Sequence, residues 1–222
     1  MMTNLFSSFD PATSLNWSMN WSSMMLFILM LPAPYWLLPN QSQSLMLKTI
    51  SLLNSEFNTL INKKSPISLM LMSLFTFILL NNVLGLLPYV YTSSSQLVFT
   101  LTLALPIWFS FMLFGWLNNC NHMFAHLIPT GTPPILMPFM VCIETSSNLI
   151  RPGSLAVRLT ANMIAGHLLM TLLGNNATNS SELILMIIMT IQFMLLWFEL
   201  AVSLIQAYVF TVLSTLYSSE VI

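Results

Sequence analysis

The residues of this chain that could do chemistry are concentrated in one run of an otherwise apolar sequence. Between positions 144 and 167 stand Glu144, Arg151, Ser154, Arg158, Asn162 and His167. Arg151, Ser154, Arg158 and Asn162 follow one another at spacings of three, four and four, which puts them on one helical face. Gln192, Glu199, Ser203 and Gln206 make a second such face at spacings of seven, four and three. An arginine at membrane depth costs about 3 kcal/mol on insertion-based scales, and it cannot shed its charge by losing a proton. Arg158 is therefore a permanent positive charge that something must face. One reading is a structural ion pair with Glu144 or Glu199; the other is a carboxylate brought by a partner chain.

Depth along the helix separates the titratable groups. Glu144 lies roughly 21 Å of helix before Arg158, and His167 roughly 13 Å beyond it and about 180° around, at 1.5 Å and 100° per residue. Groups on both sides of a fixed charge, but not in one file, suit two separate water-accessible passages. A continuous proton wire would be interrupted by a guanidinium, which repels a free cation. The same charge attracts a partner's carboxylate and favours its ionised form. Such an acid could lose its proton toward one passage and regain one from the other.

The elements that must position these groups follow from composition. The chain is 56% hydrophobic, only 5% charged and has a net charge of −1. A soluble domain carries about 25% charged residues, so the surrounding solvent is lipid. Backbone groups in lipid must bond within their own segment, and the apolar runs are too long for barrel strands. The expected fold is an all-α polytopic membrane protein, a single membrane domain over 1–222. It has about five membrane-embedded helices and one amphipathic surface helix. Residues 1–16 form a polar start, 17–38 a first span with interfacial Trp17, Trp21, Tyr35 and Trp36, and 66–87 and 97–117 two further spans. Segments 135–173 and 182–217 are too long for perpendicular crossings, so they should form a tilted hairpin, weakest at Pro152-Gly153.

In 44–64, Met46, Ile50, Leu53, Phe57, Leu60 and Ile61 share one face against Lys48, Asn54, Glu56, Asn58, Lys63 and Lys64, the pattern of a helix lying on a membrane. Ser65-Pro66 reads as a helix start. Three of the five cations fall between the first two spans, so that connection belongs on the matrix or cytoplasmic side and the N-terminus opposite. No nucleic-acid signal, cofactor box, phosphate loop or cleavable targeting segment is read. Cys120, His122 and His126 fall in an expected loop at 118–134 without a further ligand nearby, so no metal site is expected. Glu182 and Glu220 read as solvated helix-end charges. The eighteen methionines give the composition of an organelle-encoded product.

Leu155-Ala-Val-Arg-Leu-Thr-Ala-Asn-Met-Ile-Ala-Gly-His167 and Ile205-Gln-Ala-Tyr-Val-Phe210 closely resemble the a-subunit family of the mitochondrial rotary ATP synthase. Asn82-Val-Leu-Gly-Leu-Leu-Pro88 and Ala125-His-Leu-Ile-Pro-Thr-Gly-Thr-Pro133 are similar to further signatures of that family. The resemblance implies a proton-conducting stator in the mitochondrial inner membrane, with no cofactor and no ATP site of its own. Its partners would be a ring of c subunits, peripheral-stalk and other membrane-sector subunits, and the lipid bilayer. Its N-terminus would face the intermembrane space and its C-terminus the matrix. Arg158 matches the arginine that faces the ring carboxylate; Asn162 and Gln206 match polar neighbours of it. His167 and Glu199 match the intermembrane-space passage and Glu144 the matrix exit, with Ser154 and Ser203 on the same polar faces. Many relatives carry glutamine at the position of Arg151. A secondary carrier for an anionic solute and a structural subunit of a respiratory complex are the competing readings; the absence of an internal repeat weighs against the carrier.

Overall fold

The computed structural model describes residues 4–14, 17–32, 37–61, 66–128, 133–178 and 180–221. Among the described residues, seven α-helices follow three-ten segments at Leu5–Phe9 and Met19–Met25, with a further three-ten turn at Ser93–Ser95. They are α1 (Phe27–Met30), α2 (Gln41–Ile61), α3 (Ile67–Gly85), α4 (Leu97–Asn118), α5 (Cys120–His126), α6 (Met137–Ala177) and α7 (Glu182–Val221). Among the described residues there is no named strand. Among those residues four helices, α3, α4, α6 and α7, are long and apolar enough to cross a membrane.

The first segment departs from the expected span over 17–38. Its described helical part is Met19–Met30, mostly three-ten turn, and falls short of the roughly 20 residues that cross a bilayer. Tyr35 and Trp36, expected at an interface, lie outside the described residues. The amphipathic segment is helical as α2, but its apolar face has a protein partner. Phe57 and Ile61 are buried, and Ile50 and Leu53 pack beside them against Leu71 and Met72 of α3 and Val212 of α7. Leu45, Leu47 and Leu52 on the other side are exposed. Lys63, Lys64 and Ser65 lie outside the described residues.

A second core, nearer the polar run, joins four helices. Ile78 of α3, Ala104 and Ile107 of α4, Leu155, Ala156 and Leu159 of α6, and Ala207 and Phe210 of α7 form one buried cluster. Because Leu155, Ala156 and Leu159 point inward, the 3.6-residue period turns Ser154, Val157, Arg158 and Ala161 outward, and all four are exposed.

Two further expectations are corrected. The stretch after α4 is not all loop: α5 folds seven residues into helix and returns Met123 toward Gly115, where an added Cβ would come within 2.9 Å of the Met123 sulfur. Nor does α6 break at Pro152-Gly153. It runs 41 residues, roughly 60 Å, with Pro152 buried in its interior. A proline removes one backbone donor, and inside a bundle the flanking packing keeps the helix going. At about twice the thickness of a hydrocarbon core, α6 and α7 cannot stand upright in a bilayer.

Candidate functional site

Arg158 projects from the exposed face of α6, and among the described residues it forms no ion pair or hydrogen bond. The expected internal partners are engaged elsewhere or remote. Glu144 lies 3.6 Å from Arg151, not from Arg158. Glu199, on α7, lies against Gly166, about two turns further along α6 than Arg158. One turn beyond Arg158, Asn162 Nδ2 donates to Gln206 Oε1 at 3.0 Å, tying α6 to α7. Gln206 is buried and its Nε2 has no partner.

Ser154 and Ser203, expected on the polar faces, spend their hydroxyls on their own helices. Ser154 Oγ donates to the Arg151 carbonyl at 2.9 Å and Ser203 Oγ to the Leu200 carbonyl at 2.8 Å. Gln192 and Glu199 are partly exposed, whereas Ser203 and Gln206 are buried, so the α7 stripe is an inward edge and not a second outward face.

His167 and Glu199 share a recess of about 300 Å³, together with Asn162, Gly166 and Phe198. The Glu199 carboxyl lies directly on Gly166: a Cβ built there would come within 2.8 Å of its Cδ and Oε1. His167 Nε2 and Glu199 Oε1 are buried without a hydrogen-bond partner. The two groups therefore line one space without being bonded to each other, and polar atoms left bare in this way need water.

A second recess, about 530 Å³, opens elsewhere between α4, α5, α6 and the end of α7. Glu144, Arg151 and Glu220 line it, opposite Trp108, Phe111 and Trp116. Arg151 Nη1 donates to Glu220 Oε2 at 2.5 Å, and its guanidinium lies 4.9 Å above the Tyr217 ring. Glu220 is thus not the free helix-end charge the sequence suggested. Nothing local marks it, because its partner is 69 residues away.

Sequence reasoning also passed over a polar cluster at the end of α3. Asn81, Asn82, Thr92, Ser93, Ser94 and Ser95 are all buried, and both polar side-chain atoms of Asn82 are without partners. The adjacent asparagines at 81 and 82 in an apolar span were the available signal. Among the described residues no group of three potential metal ligands comes together. The His126 side chain lies outside the described set.

Comparison with known proteins places the chain in a family. A family model described as ATP synthase A chain matches residues 17–219. The chain is 60% identical to the ATP synthase subunit a of Anopheles gambiae and to that of Aedes aegypti, each over the full length of both chains. It is 56% identical to the Drosophila melanogaster subunit a, again over full length. A polytopic helical chain with an outward, unpaired arginine between two titratable recesses, matched by that model along nearly all its length, belongs to the ATP synthase A chain family.

Proposed function

We propose that Arg158 is the fixed charge past which carboxylates of a partner ring move, with the His167–Glu199 recess as proton inlet and the Glu144–Arg151–Glu220 recess as outlet. The chain is the proton-translocating subunit of the ATP synthase membrane sector, a multi-pass protein of the inner mitochondrial membrane, and has no catalytic site of its own. Its partners belong to that sector, the c-ring among them. The carrier and structural-subunit readings find no support.

One observation supports the division of labour: Arg158 is exposed and unpaired, while carboxylates of the same chain line recesses on either side of it. A proton entering by His167 and Glu199 would neutralise a ring carboxylate, which could then leave Arg158 and travel through lipid. On its return, the guanidinium would favour the ionised form and release the proton toward Glu144. Asn162 and Gln206 hold α6 and α7 together at that point. Each proton crossing 100 mV supplies about 2.3 kcal/mol to the turn. The lysine-bearing connection would lie on the matrix side, with the N-terminus in the intermembrane space and the C-terminus in the matrix. Contacts with peripheral-stalk subunits fall under the same proposal.

Arg158→Ala in the assembled complex should abolish proton-driven ATP synthesis and leave a passive proton leak or a stalled rotor. Near-normal synthesis would sink the proposal. Cysteines at Ser154 and Ala161, both exposed beside Arg158, should crosslink to a ring subunit and not to other helices of this chain.

A further inference from the structure

We infer that the N-terminal segment Leu5–Asp10 is a strap that seats His167, with Phe9 as the positioning residue and Tyr91 and Gln96 as its clasp. The inference rests on the reading of His167 as part of the inlet. The Phe9 ring stands edge-on to the imidazole, at 6.3 Å between centroids and 90° between planes. A polarised ring edge against a ring face is a directional contact, so it favours one imidazole orientation over others. The backbone of Phe9 is fixed at the same residue: its carbonyl accepts from Gln96 Nε2 at 2.7 Å and from Tyr91 Oη at 3.2 Å. Gln96 Nε2 also donates to Tyr91 Oη at 2.9 Å, so the two side chains brace each other.

The clasp reaches across 82 and 87 residues, from the α3–α4 connection to the start of the chain. Both lone pairs of the Phe9 carbonyl are used. The strap continues into further anchors. Asn20 Nδ2 donates to the Asp10 carbonyl at 3.1 Å, and the Trp21 ring packs on Tyr91 at 6.5 Å. Burial raises the Tyr91 phenol above its ordinary value, which keeps it a hydrogen-bond donor through the physiological range.

Loops over a bundle end are tied down in many ways, but this one is tied at the residue whose ring meets a titratable group. The imidazole keeps one nitrogen, Nε2, without a partner, and that is the atom through which it could exchange a proton. Glu199 faces it from α7 across the recess, the Gly85 backbone lies beside it at the end of α3, and Asp10 closes the strap. By covering one side of the ring, Phe9 leaves exchange to the recess that His167 shares with Glu199.

The test uses the intact complex with Phe9→Ala, Gln96→Leu, and Phe6→Ala as control, since Phe6 lies on the same strap and is 68% exposed. Two readouts apply: the rate of His167 carbethoxylation by diethyl pyrocarbonate, followed on its own peptide, and the dependence of ATP synthesis on inlet-side pH. Phe9→Ala and Gln96→Leu should speed His167 labelling several-fold and displace the pH profile, Phe9→Tyr should restore both, and Phe6→Ala should change neither. Unchanged labelling and profile in assembled Phe9→Ala or Gln96→Leu complexes overturn the strap. If His167→Ala itself leaves synthesis intact, the inlet reading falls, while accelerated labelling in Phe9→Ala still upholds the strap.

Discussion

Substituting Gly166 by alanine tests how tightly Glu199 is seated. The added Cβ would lie 2.8 Å from the Glu199 Cδ and Oε1 and 3.1 Å from its Cγ. Ordinary contact begins near 3.4 Å, so the carboxyl must retreat by about 0.6 Å or more toward Leu195 and Phe198, which line the same recess. Elsewhere in a helix the exchange is favourable, because alanine exceeds glycine in helix propensity by about 1 kcal/mol. Gly174 supplies the control on the same helix, with nothing within 4 Å of the corresponding Cβ. Gly174→Ala should raise thermal stability slightly and leave proton-driven synthesis untouched. Gly166→Ala should gain no such stability and lose roughly 10- to 100-fold in synthesis rate, the scale attached to misplacing a catalytic group by up to about 1 Å. Glu199→Asp, one methylene shorter, should recover part of the rate when combined with Gly166→Ala while slowing the parent. The assay is ATP synthesis in proteoliposomes under a set proton gradient, with assembly checked by the yield of intact complex. Equal rates for Gly166→Ala and Gly174→Ala would refute the claim that the inlet needs Glu199 held against α6.

Two further predictions follow from other contacts. Arg151 and Glu220 are only partly sequestered, with side chains 24% and 51% exposed, so a double-mutant cycle with Arg151→Leu and Glu220→Leu should give a coupling of about 1 kcal/mol or less. Thermal unfolding of the complex reads it, and a value near 3 kcal/mol would show that the pair is desolvated in the assembly. Phe57 is fully buried, so Phe57→Ala should cost α2 its anchorage on α3 and α7, a loss of about 3 to 5 kcal/mol. Limited proteolysis should then cut α2 far faster than in Leu45→Ala, whose side chain is 59% exposed; equal cutting rates would refute the packing.

The class of fold was legible because lipid leaves few options. A chain this apolar and this poor in charge must bond its backbone within each segment, and α3, α4, α6 and α7 follow from run length alone. The outward stripe of Ser154, Arg158 and Asn162 was legible for a similar reason: helical spacing fixes which residues share a face, whatever packs against them. What could not be read depends on where distant segments meet. The Arg151–Glu220 pair requires α7 to end beside the first half of α6, and the Phe9–His167 contact requires a three-ten turn to fold back across the bundle. Neither is encoded in local periodicity. The continuity of α6 through Pro152 is another tertiary outcome, since a buried proline flanked by packed helices is free of the competition that would break an isolated helix. In the first segment apolar length alone does not distinguish α-helix from three-ten winding, and Met19–Met25 is wound as three-ten.

The two arginines of α6, two turns apart, differ in what they meet. Arg151 meets two carboxylates and an aromatic face supplied by this same chain. The chain thus has the means to neutralise an arginine internally, yet it directs none of them at Arg158. Left in lipid, that guanidinium would cost about 3 kcal/mol or more, a cost that the ring carboxylate proposed above would offset. The counter-charge must also be able to leave. An ion pair at 4 Å is worth about 4 kcal/mol at an effective dielectric of 20 but about 1 kcal/mol in water. A proton crossing 100 mV delivers about 2.3 kcal/mol, which would fail to release the first pair and suffice for the second. On the proposed role, an exposed Arg158 is on the releasable side of that comparison, and a dry, internally locked one would stall a partner ring.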